Sequence, residues 1–178
     1  MPALKKPASP DWELRLRSLL PVFGHRNWIV VADSAYPAQS KPGIETVFAG
    51  GDQVDALRRV FNAIAGAAHV RANIYVDREL EFVAEHDAPG VLDYRAELYR
   101  LLGASVRKTP HEEIIARLDQ AAQIFRVLIV KTEMTIPYTS VFFELDCGYW
   151  SAEAEERLRK KMKDKKPLRA GRLKRRND

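Results

Sequence analysis

The sequence predicts an α/β sandwich built as a single domain. Short β-branched apolar runs alternate with longer stretches whose apolar residues recur at helical spacing. The chain has 178 residues, with 46% hydrophobic and 30% charged side chains. That suits one globular domain with enough length to bury a core. No internal repeat interrupts the alternation.

The elements follow in order. After a polar leader containing Pro2, Pro7 and Pro10, Asp11 can cap a helix running to about Phe23, with Leu14, Leu16, Leu19, Leu20 and Val22 as its apolar residues. Trp28-Ile29-Val30-Val31-Ala32 is too short and too β-branched for a helix and reads as a buried strand. A loop through Pro37, Pro42 and Gly43 leads to a second strand, Ile44 to Ala49, ended by Gly50-Gly51. Asp52 is a good N-cap for a helix from about Gln53 to Ala68, on which Val54, Leu57, Val60, Phe61 and Ile64 are spaced helically. Ala72 to Val76 reads as a third strand, Leu92 to Leu102 as a helix, and Val106 falls in a short strand. Thr109-Pro110-His111-Glu112 predicts a helix start in which Thr109 caps, Pro110 takes the first helical position and Glu112 completes a capping box. That helix runs to about Gln123. Phe125–Val130 and Ser140–Asp146 read as paired core strands joined by a loop through Pro137.

Charge is unevenly spread. Residues 151–178 carry 12 Lys/Arg and 5 Asp/Glu, a net of +7, while the first 150 residues carry 17 basic and 19 acidic side chains. The basic character therefore belongs to the tail. The single cysteine, Cys147, excludes an intrachain disulfide and reads as a small core residue. The leader lacks an apolar segment of secretory type, and no window reaches the roughly 20 apolar residues that span a bilayer. The expectation is a cytoplasmic protein without a membrane partner.

The candidates for chemistry are few. The four histidines, at 25, 69, 86 and 111, form no His-x-x-x-His or His-x-His pair, and one cysteine cannot complete a zinc site, so no metal centre is expected. Neither a glycine-rich phosphate loop nor a Gly-x-Ser-x-Gly elbow is present. His25 precedes the strand 28–32 and Asp33 follows it; on these residues alone they read equally as a loop histidine and a turn-forming aspartate. His111 sits in the first turn of its helix, where the dipole favours a neutral ring able to give or take a proton; a solvated histidine is the equal alternative. Tyr138 follows Pro137 before a core strand and suits packing as well as a cleft, with Glu133 as an isolated carboxylate in the same loop. His69 and His86 read as surface residues.

Gly24-His25, the apolar strand, and Asp33-x-x-x-Pro37-Ala38-x-Ser40 together resemble the N-terminal signature of the D-ribose pyranase and L-fucose mutarotase family. Ala121-Ala122-Gln123, the strand 125–130, Lys131-Thr132-Glu133 and Pro137-Tyr138-Thr139-Ser140 are similar to the family in order and spacing, over roughly residues 14–150 in all. The resemblance implies a three-layer α/β/α sandwich over residues 1–150, with 1–10 as a flexible leader. It further implies cofactor-free interconversion of sugar ring forms on a monosaccharide. His25 would be the main acid–base group, Tyr138 and His111 would bind or relay protons, and Asp33 and Ser140 would bind the sugar. Ser140 stands where the family usually has asparagine, and the loop from Glu133 to Tyr138 is one residue longer; both bear on specificity and activity. The five-residue strand separates its ends by roughly 16 Å. Either the Gly24-His25 loop folds back over the strand, or a neighbouring subunit completes each site. The family's ring-shaped oligomers, including decamers, imply a homo-oligomer.

Two further readings stand beside this one. The first is a non-catalytic relative that binds a sugar or another small polar ligand. In the second, the tail 151–178, which begins as a charged helix and frays or becomes disordered beyond about Lys166, serves as a phosphate-binding arm for nucleic acid. A solvated appendage is the plain alternative for that tail.

Overall fold

The computed structural model describes residues 11–103 and 106–164. Its elements are α1 (Asp11–Leu19), β1 (Trp28–Ala32), β2 (Ile44–Phe48), α2 (Gln53–Ala65), β3 (Val70–Asp77), a 3-10 turn (Arg78–Phe82), α3 (Val91–Leu102), β4 (Arg107–Thr109), α4 (His111–Ala121), β5 (Val127–Lys131), β6 (Val141–Cys147) and α5 (Ala152–Asp164).

The six strands form one mixed sheet in the order β2-β5-β1-β6-β3-β4. β1 and β2 both run parallel to β5, and β3 runs parallel to β4. β6 alone is reversed, antiparallel to β1 and to β3. The carboxyl ends of five strands therefore share one edge with the amino end of β6. Contrary to the sequence expectation, β5 and β6 do not pair, because β1 lies between them. All five residues of β1 are buried, as expected for a central strand covered on both faces.

Alternation along the strands divides the interior into two layers. Ile29, Val31, Leu128, Val130, Phe143 and Leu145 pack against α1, α2 and α3 through residues such as Trp12, Leu57 and Leu98. Trp28, Val30, Ile129 and Phe142 face the other way, onto Ile114 and Leu118 of α4. The result is the three-layer α/β/α sandwich that the resemblance implies.

Local signals explain some termini and not others. Asp52 caps α2 as predicted, its side chain accepting from the Asp55 N–H at 3.1 Å. The capping box at α4 does not form. Thr109 is consumed by β4, Pro110 takes the cap position with no side-chain bond, and the His111 N–H donates to the Glu79 carboxylate at 3.0 Å instead. His69 is half-buried rather than a surface residue. Its Nε2 lies 3.1 Å from the Leu20 carbonyl and 3.0 Å from that of Phe23, tying the end of α1 to the start of β3. Cys147 is half-buried at the end of β6 and not in the core. The charged helix predicted after residue 150 is α5, started by Ser151, whose Oγ accepts from the Ala154 N–H at 3.1 Å. The frayed stretch expected beyond Lys166 lies outside the described residues. Among the described residues, no helix is long and apolar enough to cross a membrane.

Candidate functional site

Sheet polarity gathers one group of polar side chains. Asp33 directly follows β1 and Ser140 directly precedes β6, so the antiparallel β1–β6 register brings them to the same edge. Ser140 Oγ donates to Asp33 Oδ2 at 2.9 Å, and the Ala35 N–H donates to Asp33 Oδ1 at 2.9 Å. Asp77 closes β3 at the same edge, level with Thr109 of β4. Two residues later the chain enters α4, which sets His111 Nδ1 3.1 Å from Asp77 Oδ1. The His111 ring meets the Tyr138 ring edge-on, with centroids 5.7 Å apart. Tyr138 has φ +59°, a left-handed conformation uncommon for a non-glycine residue and a form of strain that clusters at functional sites. Asp33, His111, Tyr138 and Ser140 are thus neighbours.

Asp77 joins them, although the sequence did not single it out. Its only signal was a carboxylate at the carboxyl end of a strand, the position Asp33 also holds. It is 1% exposed, and burial pushes its carboxyl up to about 6. His111 pulls in the opposite direction, while Glu79 and Asp33 add to the rise. A desolvated carboxyl with a specific charge partner is a recognised mark of functional sites.

A buried network holds the Thr139–Ser140 segment in place. Gln53, fully buried at the start of α2, donates through Nε2 to the Tyr94 hydroxyl at 3.0 Å and to the Thr139 carbonyl. Tyr94 also donates to that carbonyl, at 2.7 Å, and Thr132 Oγ1 donates to Gln53 Oε1 at 2.8 Å. Glu133 is exposed and takes no part in the network's side-chain bonds.

His25 does not join this group. It sits at the opposite edge, its Nδ1 2.8 Å from Asp146 Oδ1 near the end of β6. β6 runs seven residues between Ser140 and that end, roughly 20 Å at about 3.3 Å per residue. The Gly24-His25 loop does not fold back over β1; the Arg26 N–H is fixed instead to the Leu145 carbonyl at 2.9 Å. Arg71 Nη2 donates to Asp146 Oδ2 at 2.9 Å and holds that carboxyl below its ordinary range.

A cavity of about 700 Å³ opens elsewhere, between α1 and α2, and contains none of these residues apart from the structural His69. Among the described residues, no group of three or more His, Cys, Asp or Glu is placed to hold a metal ion.

No protein-family model matches the sequence, and no curated protein matches it either. Solved structures do match in fold. The RbsD protein of Bacillus subtilis, complexed with D-ribose, is 16% identical with a TM-score of 0.53, over 80% of this chain and 98% of that one. The fucose mutarotase of Streptococcus pneumoniae, complexed with L-fucose, is 18% identical with a TM-score of 0.50, over 82% of this chain and 98% of that one. The protein is therefore an α/β protein with the fold of these two structures.

Proposed function

We propose that this protein interconverts anomers or ring forms of a monosaccharide by acid–base ring opening and reclosure, without a cofactor. One observation carries the reading: Asp33, Ser140, Asp77, His111 and Tyr138 converge on one sheet edge, in a fold shared with two sugar-bound structures. In the reaction, one group takes the proton of the anomeric hydroxyl as the bond from the anomeric carbon to the ring oxygen breaks. Another group protonates that ring oxygen. The aldehyde rotates, and reclosure returns both protons. Neutral imidazole, phenol and carboxylate side chains suffice for such transfers.

His25 is the main acid–base group in this reading, although its own chain places it at the far edge. It therefore acts in the site of a neighbouring copy, and the protein is a homo-oligomer. Asp33 and Ser140 bind sugar hydroxyls, while Tyr138 and His111 bind the sugar or relay protons. Exchange NMR on a panel of free aldoses tests the proposal. The expected result is accelerated anomer or ring exchange that His25→Ala abolishes; no acceleration with any aldose overturns it. A monodisperse monomer by light scattering overturns the shared site.

A second reading is sugar binding without turnover. It is favoured by Ser140, whose hydroxyl is buried and already committed to Asp33, so the site lacks the paired donor and acceptor of an asparagine amide. Saturation transfer without exchange would be its signature.

A further inference from the structure

Both candidate acid–base histidines meet an aspartate through the same ring nitrogen. His111 Nδ1 lies 3.1 Å from Asp77 Oδ1, and His25 Nδ1 lies 2.8 Å from Asp146 Oδ1. We propose that Asp77 and Asp146 are positioning residues, each fixing the Nδ1–H tautomer of its histidine so that Nε2 is the atom that takes up and returns protons. The proposal rests on the sugar-ring reading above and deepens it.

An ionised carboxylate only accepts hydrogen bonds. A neutral imidazole facing one must therefore carry its proton on the facing nitrogen and leave a lone pair on the other. Asp146 is kept ionised by Arg71 and by the Cys147 N–H, which donates to Oδ1 at 2.8 Å. The far side of the His25 ring agrees, because Arg26 Nε–H points at His25 Nε2 from 3.3 Å, and only an unprotonated Nε2 can accept it.

The second pair is built differently to the same end. Asp77 is enclosed by β3, the 3-10 turn and α4, and His111 is its one side-chain hydrogen-bond partner among the described residues. The titratable groups around it are Glu79 on the 3-10 turn, Asp33 and Tyr36 on the segment after β1, and His111 on α4. Glu79 is occupied by the His111 backbone N–H, which locks the first turn of α4 and with it the ring's direction. Burying a carboxylate with one partner is costly, whereas an apolar residue there would pack without penalty. Its presence is explained by what it does to His111. The two aspartates stand at opposite edges of the sheet, so each histidine is oriented independently, as a site shared between copies requires.

The tautomers can be read directly by long-range ¹H–¹⁵N correlation of the histidine rings in the full chain at pH 7.5. His25 and His111 should show protonated Nδ1 and unprotonated Nε2. His86, which is exposed and faces Asp87 through Nε2 at 3.3 Å, is the internal contrast. Asp77→Ala should return His111 to a tautomer mixture and leave His25 unchanged, and Asp146→Ala should do the reverse. Asp77→Asn keeps a carbonyl acceptor and should largely preserve the His111 tautomer, which separates orientation from loss of folding. In sugar exchange, Asp77→Ala should lower kcat by about tenfold or more with little change in KM. A protonated Nε2 on either wild-type ring, or tautomers unmoved by the alanine variants, overturns the proposal. Nδ1–H tautomers in a chain that catalyses no exchange overturn instead the sugar reading on which it rests.

Discussion

Ser140 Oγ donates to Asp33 Oδ2 at 2.9 Å and joins two residues 107 positions apart across the β1–β6 pair. Among the described residues, the Asp33 side chain otherwise accepts only the N–H of Ala35, so Ser140 sets the direction of the second carboxylate oxygen. Ser140→Ala should cost about 1–2 kcal/mol, the worth of a hydrogen bond to a charged acceptor that is only half-buried. Urea unfolding measures that loss. Sugar exchange by the same variant should show a raised KM, because Asp33 is then free to turn; an unchanged KM would separate Asp33 from sugar binding.

Asp77 gives a pH signature to stability. Its carboxyl rises from 3.8 to about 6 on folding, so between these values the folded chain holds a proton that the unfolded chain has lost. Stability from this group is full below about 4 and falls as pH rises towards 6, by roughly 3 kcal/mol at most. Asp146 and Glu45, whose carboxyls are lowered by Arg71 and Arg15, act in the opposite sense as pH falls. The clean measurement is therefore a difference. The stability of Asp77→Asn relative to wild type should improve between pH 4 and pH 6.5, and a flat difference would show that burial does not perturb Asp77.

Much of the fold was legible because its signals are local. The run 28–32 announces a central strand, Asp52 announces its helix, and the length of β1 put His25 and Asp33 at opposite ends unless the Gly24-His25 loop folded back, which it does not. The errors arose where a distant strand overrode a local rule. Thr109 is a sound capping residue, yet pairing with β3 drew it into β4 and left Glu79 to satisfy the start of α4. Phe125–Val130 and Ser140–Asp146 read as partners because they are adjacent in sequence, but β1 inserts between them. Asp77 escaped notice because a charge after Val76 reads as the end of a strand. Only the docking of α4 buries it and gives it a partner.

Gln53 should behave as a keystone of the site's edge. Its amide oxygen accepts from Thr132, and its nitrogen serves Tyr94 and the Thr139 carbonyl, all in buried surroundings. Gln53→Leu keeps the volume but removes the three Gln53 hydrogen bonds, while Thr132 keeps the Ala32 carbonyl and Tyr94 the Thr139 carbonyl, so the expected cost is about 1–3 kcal/mol. Hydrogen exchange should then show faster opening at Thr139 and Ser140 than in β2. Uniform loosening across the sheet would mean that the network stabilises the whole fold rather than this edge.

Gly148 tests how α5 is attached. Its N–H donates to the His69 carbonyl at 3.0 Å, and a Cβ added there would lie 2.7 Å from the Ala68 carbonyl oxygen and 2.9 Å from the Val70 backbone. These neighbours are backbone atoms at the turn entering β3 and cannot swing aside, so Gly148→Ala must push the chain away from that turn. His69 sits at the same place and ties down the end of α1, so the strain should spread to α1 as well as to the last pair of the β3–β6 ladder, Val70 with Cys147. The expected loss is about 1–3 kcal/mol, the usual range for forced overpacking. The carboxyl edge lies at the other end of β6, so sugar binding to Asp33 should survive wherever the variant stays folded. A variant as stable as wild type would show that residues 148–150 leave the sheet by a looser path than this close contact describes.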